Sequence, residues 1–265
     1  EQGTINTENI VNAGGLWARE VGAMVGVYHP LHPMEHQYLI TEDIPEVYER
    51  DNELPHIMDP AGETYFRQEG RGLCIGIYEQ DCDSWAVDGT PWDFAAELLP
   101  NNLERISDPL EQAFKRYPCL GEAGIKTVIN GPFTFAPDGN PLVGPVPGVP
   151  GYWAACAVMA GFSQGGGVGL ALAEWMVHGE TSSDVFAMDV ARFGDWTTNA
   201  YTRDKVRENY QRRFSITYPN QELPVARPFQ TTPAYGIWDQ QNAVFGAGYG
   251  LEHVNYFAPE GEKRY

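Results

Sequence analysis

The chain has 265 residues, enough for one large domain or a domain with a smaller neighbour. Its 36 acidic residues against 17 basic ones give a net charge of −19, which opposes general attraction to nucleic acid or to an anionic membrane. No apolar run approaches a membrane span, and the four isolated cysteines, Cys74, Cys82, Cys119 and Cys156, read as reduced structural thiols of a cytosol-like compartment without metal-ligand spacing.

The opening residues predict a short hairpin, a buried strand at Ile10 to Asn12 and a helix starting near Leu16. A domain rarely opens on an interior strand, so the polypeptide is expected to begin inside a fold whose first half lies elsewhere. Next, His36 to Thr41 reads as a strand, followed by a polar loop to about Gly62. Two β-rich runs flank Glu69-Gly70-Arg71-Gly72, a hairpin signal, and together these strands predict an antiparallel sheet. Period-2 alternation puts Tyr38 on the face of His36, and Arg67 on that of Tyr65.

From Asn102 to Tyr117 the period becomes helical, with Leu103, Ile106, Leu110, Phe114 and Tyr117 on one face. Asp108, Pro109 and Glu111 sit as N-cap, first-turn proline and capping-box acid, which predicts a short helix and then a capped one. The stretch "GIKTVINGPFTFAPDGNPLVGPVPGVPGYWAACAV" alternates β-rich runs with Gly/Pro turns. It leads into "GFSQGGGVGLALAEWMVHG", a helix with Gly165 to Gly167 at its start and Gly179 as its C-cap. A texture change near Met188 to Phe193 marks a domain boundary. Beyond it lie a basic helix candidate, "TRDKVRENYQRRF", a proline-rich stretch and an aromatic, glycine-rich end.

Three glycines at a helix start fit either close backbone packing or a flat or anionic ligand meeting free N–H groups, which the helix dipole favours. The neighbouring turns of "TFAPDGNPLVGP" point to the ligand, because two bare backbones together make one wall. His29 and His32 lack a third ligand for zinc, and Trp153 and Trp175 read as core.

The stretches "NAGGLWA", "HPMEHQYLITE", "INGPFTFAPDGNPLVGPVPG", "GFSQGGGVGLALAEWMVHGE", "DVARFGDW" and "NAVFGAGYGLEHVNYFAP", in this order, resemble the flavin-dependent amine oxidoreductases of the dimethylglycine and sarcosine dehydrogenase type. The resemblance implies an α+β (α/β) fold: the C-terminal part of an FAD-linked oxidoreductase domain over 1–190, with an antiparallel-sheet substrate subdomain at about 27–125, followed by a small central domain over 191–265. It implies FAD as cofactor, held near the ring by Gly14, Gly15, Trp17, Pro137, Asp138, Gly139 and the segment Gly161, Phe162, Ser163, Gln164, Gly165, Gly166 and Gly167. Through the resemblance His36 and Tyr65 become the substrate-site residues, accepting hydrogen bonds from an amine whose N-methyl group gives hydride to flavin N5. Arg67 is a weaker candidate for a substrate carboxylate.

The implied activity is FAD-dependent oxidative N-demethylation of a small methylated amino acid. The GxGxxG half that would hold the ADP part of FAD is absent from the sequence and is expected from a second chain or segment. The resemblance leaves oxygen or an electron-transfer flavoprotein as the electron acceptor, and tetrahydrofolate would enter only through a domain not present. For a eukaryotic source the implied compartment is the mitochondrial matrix. The competing reading is a non-catalytic subunit or binding module of a flavoprotein assembly.

Overall fold

The computed structural model describes residues 3–219 and 221–262. Its first strand, β1 (Ile10–Asn12), is followed by a single 3₁₀ turn at Gly15–Trp17 and the helix α1 (Ala18–Ala23). Residues 3–9 form no strand, so the expected opening hairpin is not made. β1 instead pairs in parallel with a strand far along the chain, β8 (Tyr152–Cys156), with Ile10 beside Tyr152.

Between them runs a five-stranded antiparallel sheet in the order β3-β4-β5-β2-β6. Its members are β2 (His32–Thr41), then, after the short helix α2 (Pro45–Tyr48), β3 (Ile57–Asp59), β4 (Thr64–Glu69) and β5 (Gly72–Ile77). The helices α3 (Ser107–Arg116) and α4 (Cys119–Glu122) precede β6 (Ile125–Phe135). The sheet thus extends past residue 125, because β6 lies along the whole of β2. The predicted β4–β5 hairpin forms, with Gly70 at φ 59° supplying the left-handed residue of its turn.

Alternation along these strands gives the sheet two different faces. Leu39, Phe66 and Ile75 lie side by side on one face and pack with Ile106, Leu110, Ala113 and Leu120. The buried stripe of α3 therefore runs Ile106, Leu110, Ala113 and Tyr117, whereas Leu103 and Phe114 are exposed, unlike the predicted face. The capping box does not form either: α3 starts at Ser107 with Ile106 as N-cap and no side-chain cap bond. Residues 103–106 make a turn rather than a first helix, since Ile106 is drawn into the core.

The opposite face carries Met34, Tyr78 and Phe135, which pack with Cys82, Val206 and Tyr210. The last two come from α6 (Asn199–Gln211), whose N-cap Thr198 accepts a bond from the Tyr201 amide at 3.1 Å. Residues on both sides of the expected boundary near 190 thus share one core.

The second sheet has the order β1-β8-β7, with β7 (Leu142–Pro145) antiparallel to β8 (Tyr152–Cys156). From β8 the chain enters α5 (Gly161–His178), which ends at Gly179 in the left-handed region, its amide bonded to the Trp175 carbonyl at 2.9 Å as the sequence led one to expect. Trp175 packs on the bare backbone of Gly144, so it serves α5–β7 packing. Beyond α6, α7 (Tyr235–Gln240) leads to the hairpin β9 (Ala243–Gly248) and β10 (Leu251–Phe257). Its two-residue turn has positive φ at both Tyr249 and Gly250. Among the described residues no helix is long and apolar enough to cross a membrane.

The revised α3 face has a direct check. Ile106→Ala should cost about 2–5 kcal/mol by cavity formation, while Phe114→Ser should stay within about 0.5 kcal/mol. Urea unfolding of the two variants measures both; equal losses would restore the face read from the sequence.

Candidate active site

Three segments converge because of strand direction. β1 and β8 run parallel, with Asn12 beside Ala154, so Gly14-Gly15 and the approach to α5 leave the sheet at the same end. β7 runs the other way, with Leu142 beside Cys156, so the Pro137–Gly139 turn that precedes it reaches that end too. Ligands of α/β sheets collect at the carboxyl ends of parallel strands, and this edge is of that kind.

At this edge α5 presents an almost bare backbone. A Cβ built on Gly161, Gly165, Gly166, Gly167 or Gly169 would meet no atom within 4 Å, and the same holds for Gly15 at φ 55°. Internal packing therefore gives no reason for glycine at the α5 positions. Phe162 beside them is fully exposed. The helix begins at Gly161, with Ala160 as N-cap and no side-chain cap bond. Gly165 to Gly167 accordingly lie in its second turn rather than at its start, and Gly161 to Gln164 form the N-terminus.

The other predicted contacts of this edge are only partly in place. Asp138 turns away: its two carboxylate oxygens meet Arg192 Nε at 2.7 Å and Nη2 at 2.9 Å. The Cα face of Gly139 is closed by Asn209 of α6, whose Oδ1 lies 2.5 Å from where a Cβ would be. Asp138 thus ties this turn to Arg192, and Gly139 ties it to α6. Trp17 donates its indole N–H to the Pro91 carbonyl at 2.9 Å, which fixes the turn after β1.

A cavity of about 520 Å³ opens between the N-terminus of α5 and the five-stranded sheet. Tyr65, Tyr78, Phe133, Phe162, Arg213 and Phe214 line much of it, with Arg67, Gly161 and Ser163 at its walls. Tyr65 reaches it by lying flat across β5: its cross-strand neighbour is Gly76, and a Cβ there would fall inside the phenol ring. The Tyr65 hydroxyl then arrives 3.1 Å from His36 Nε2.

The expectation gave both His36 and Tyr65 contact with the amine. Tyr65 lines the cavity, whereas His36 stands behind it with both ring nitrogens engaged, Nε2 by Tyr65 and Nδ1 by the Tyr210 hydroxyl at 2.9 Å. Tyr210 in turn donates to Glu79 Oε2 at 2.8 Å. Glu79 Oε1 is ion-paired with Arg105 Nε at 2.9 Å, and Arg105 Nη1 meets Glu35 at 3.1 Å and Asp83 at 2.6 Å. Glu79 and Arg105 side chains are 1% and 3% exposed.

Donor logic sets the direction of this chain. With Glu79 ionised, the Tyr210 O–H points to it, so the Tyr210 oxygen accepts from His36 Nδ1–H and His36 Nε2 accepts from Tyr65 O–H. The lone pairs of Tyr65 are left for the cavity. Burial, then the Arg105 charge, lowers the His36 pKa to about 3, so the ring is neutral. Burial raises the Tyr65 hydroxyl above the usual phenol range.

Tyr210, Gly76, Arg105 and Glu79 were not found by sequence reasoning. The tyrosine lies in a helix read only as basic, and its reach to His36 spans 174 positions. Arg67, the weaker carboxylate candidate, is tied to Glu69. Arg213 also lines the cavity and has no carboxylate partner among the described residues.

Comparison with known proteins follows this geometry. The FAD dependent oxidoreductase family matches residues 1–175, and the FAD dependent oxidoreductase central domain family matches residues 178–232. Mitochondrial dimethylglycine dehydrogenase of Mus musculus is 41% identical over 98% of this chain and 31% of its own length. Mitochondrial sarcosine dehydrogenase of Mus musculus is 33% identical over 98% of this chain and 28% of its own. The mitochondrial pyruvate dehydrogenase phosphatase regulatory subunit of Mus musculus is 31% identical over 98% and 30%. The chain thus spans under a third of the length of each of these three relatives. Among solved structures, L-proline dehydrogenase from P. horikoshii superposes with a TM-score of 0.55 at 26% identity, covering 69% of this chain and 46% of that one.

Three imidazoles held neutral give the fold a pH signature. His29 and His32 are lowered to about 4, first by burial, and His36 to about 3, against 6.5 in the unfolded chain. Below about pH 6.5 the unfolded state binds protons that the folded state refuses, so stability falls with falling pH, and the loss continues toward pH 4. Urea midpoints across pH 4–8 read this slope, and His36→Gln should make it shallower; an unchanged slope would show that His36 titrates in the fold as it does in the unfolded chain.

Proposed function

This chain belongs to the FAD dependent oxidoreductase family, and from that premise we propose that it carries the substrate side of an enzyme oxidising a small N-methylated amino acid of the dimethylglycine or sarcosine kind. The observation that carries the reading is the shared cavity: Tyr65, with its lone pairs free, and the first turn of α5, Gly161 to Ser163, face the same space. The names of the dimethylglycine and sarcosine dehydrogenase relatives support the substrate class.

The open glycines fit a flat ring resting on backbone, since any side chain at Gly165 or Gly166 would stand where the ring comes. In this reading Gly14, Gly15, Gly161 to Gly167 and the Pro137–Gly139 backbone hold the redox end of FAD, and another segment or chain holds its phosphates. When bound, the flavin supplies the acceptor for the hydride that leaves the N-methyl carbon. Amide N–H groups at the start of α5 favour negative charge beside them.

The chain's own residues do the rest. Tyr65 accepts a hydrogen bond from the substrate nitrogen and fixes where its N-methyl group points. His36 holds the Tyr65 hydroxyl in that orientation. Arg213 pairs with the substrate carboxylate from the other wall. Tyr78, Phe133 and Phe214 keep water away from the methylated nitrogen and offer it aromatic faces.

A second reading draws on one relative whose name is that of a phosphatase regulatory subunit: this chain would then serve assembly without turnover. The two readings part on one measurement. Mixing the flavin-bearing protein with dimethylglycine or sarcosine under anaerobic conditions should bleach the flavin band; a band unchanged by every N-methyl amino acid tried would favour the regulatory reading.

Two substitutions test the site. Tyr65→Phe should lower kcat/KM roughly 100-fold through loss of one positioned acceptor, and Arg213→Met should raise KM with kcat nearly kept. Gly166→Val should weaken flavin retention without unfolding the chain, read as flavin absorbance per protein after gel filtration. Full retention would return the α5 glycines to a packing role.

A further inference from the structure

We infer that Glu79 is the proton acceptor for the substrate amine, reached through Tyr65, His36 and Tyr210 along one hydrogen-bond chain. The inference rests on the amine-oxidising reading above. An alkylammonium has no lone pair on nitrogen, so it must lose a proton before the neighbouring C–H bond can be oxidised. The cavity offers Tyr65 as the neutral acceptor, and the phenol hands on what it receives.

The links measure 3.1 Å from Tyr65 to His36 Nε2, 2.9 Å from His36 Nδ1 to Tyr210, and 2.8 Å from Tyr210 to Glu79 Oε2. All are within hydrogen-bond reach for proton transfer. The substrate N–H proton passes to the Tyr65 oxygen while the Tyr65 proton passes to His36 Nε2. The Nδ1 proton then goes to the Tyr210 oxygen, and the Tyr210 proton to Glu79. One proton leaves the amine, one arrives on the carboxylate, and Tyr65, His36 and Tyr210 each end with the number they began with. No electrons change hands. His36 only exchanges tautomers, so the chain needs no imidazolium where burial and Arg105 disfavour one.

Glu79 is built to receive a proton. Burial raises its carboxyl above the usual range, against the opposing pull of Tyr210 and Arg105. The groups facing it are Arg105 from the turn before α3, Tyr210 from α6, Cys82 from the loop after β5 and the neighbouring Tyr78. Arg105 also holds Glu35 of β2 and Asp83, so it stays neutralised when Glu79 takes the proton. The reversed chain turns the Tyr65 O–H toward the cavity, where it can hand the proton back as product leaves.

The holoenzyme tests this. In Glu79→Gln the amide oxygen still accepts from Tyr210 but takes no proton. At neutral pH kcat/KM should fall on the order of 100-fold, and the deficit should close as pH rises to where free amine predominates in solution. Tyr210→Phe, which cuts the chain one link earlier, should give the same profile and decides the matter if the glutamine variant does not fold. Infrared spectra of holoenzyme reduced in advance supply a readout without turnover. Dimethylglycine should raise a protonated-carboxyl band that is absent from Glu79→Gln, and trimethylglycine, with no N–H proton, should not. Unchanged pH profiles in both variants, or the same band with both ligands, would overturn the relay while leaving the amine reading intact. Failure of the unmodified holoenzyme to oxidise any N-methyl amino acid would sink that reading and the relay with it.

Discussion

A carboxylate and a guanidinium that have both left water hold this structure together. Removing either Glu79 or Arg105 from solvent alone would cost several kcal/mol, and their attraction repays this only when the remaining donors and acceptors are used. Tyr210 takes one oxygen of Glu79, and Glu35 and Asp83 take Arg105 Nη1, while Arg105 Nη2 stays buried without a hydrogen-bond partner among the described residues. Each partner comes from a different part of the chain: α6, β2 and the loop after β5. The pair therefore does more than balance charge. It clamps the end of β5, the turn that launches α3 and the far end of α6 to one point, and that point lies directly behind the cavity. The position of Tyr65 follows from it through His36.

The other organising fact is direction. One parallel pairing, β1 with β8, brings two loops out side by side, and the antiparallel β7 adds a third. Residues far apart in sequence become neighbours without any side-chain contact being needed to recruit them. The exposed glycines of α5 lie at this edge, and the five-stranded sheet supplies the opposite wall. The cavity is thus the gap between the first turn of α5 and the five-stranded sheet, whose wall is aromatic and polar side chains.

Sequence periodicity read a polar loop where α2 and β3 stand and did not show the β9–β10 hairpin, but it revealed β2, β4 and β5, the α5 helix with its Gly179 end and the shared faces of His36 with Tyr38 and Tyr65 with Arg67. These depend on local alternation, which a chain displays openly. The α3 stripe misled because Phe114 has the right spacing and the wrong angle: Ala113 is small enough to let the helix sit close on the sheet, and this turns Phe114 outward. Asp138 looked like part of a ligand wall because its turn chemistry was visible, while its partner Arg192 lay 54 residues on. Tyr210 and Glu79 were hidden for the same reason. A buried tyrosine in a basic helix gives no local sign of what it meets, and only the tertiary pairing selects it.

Gly76 deserves its place for what it forbids. Because the Tyr65 ring occupies the space where a residue-76 side chain would stand, the two positions share one volume. Any enlargement at 76 must be matched by shrinkage at 65, and shrinkage at 65 surrenders the phenol. The strand is thereby fixed at its smallest residue by an aromatic on its neighbour, so a position with no functional group of its own is constrained as tightly as the tyrosine that rests on it.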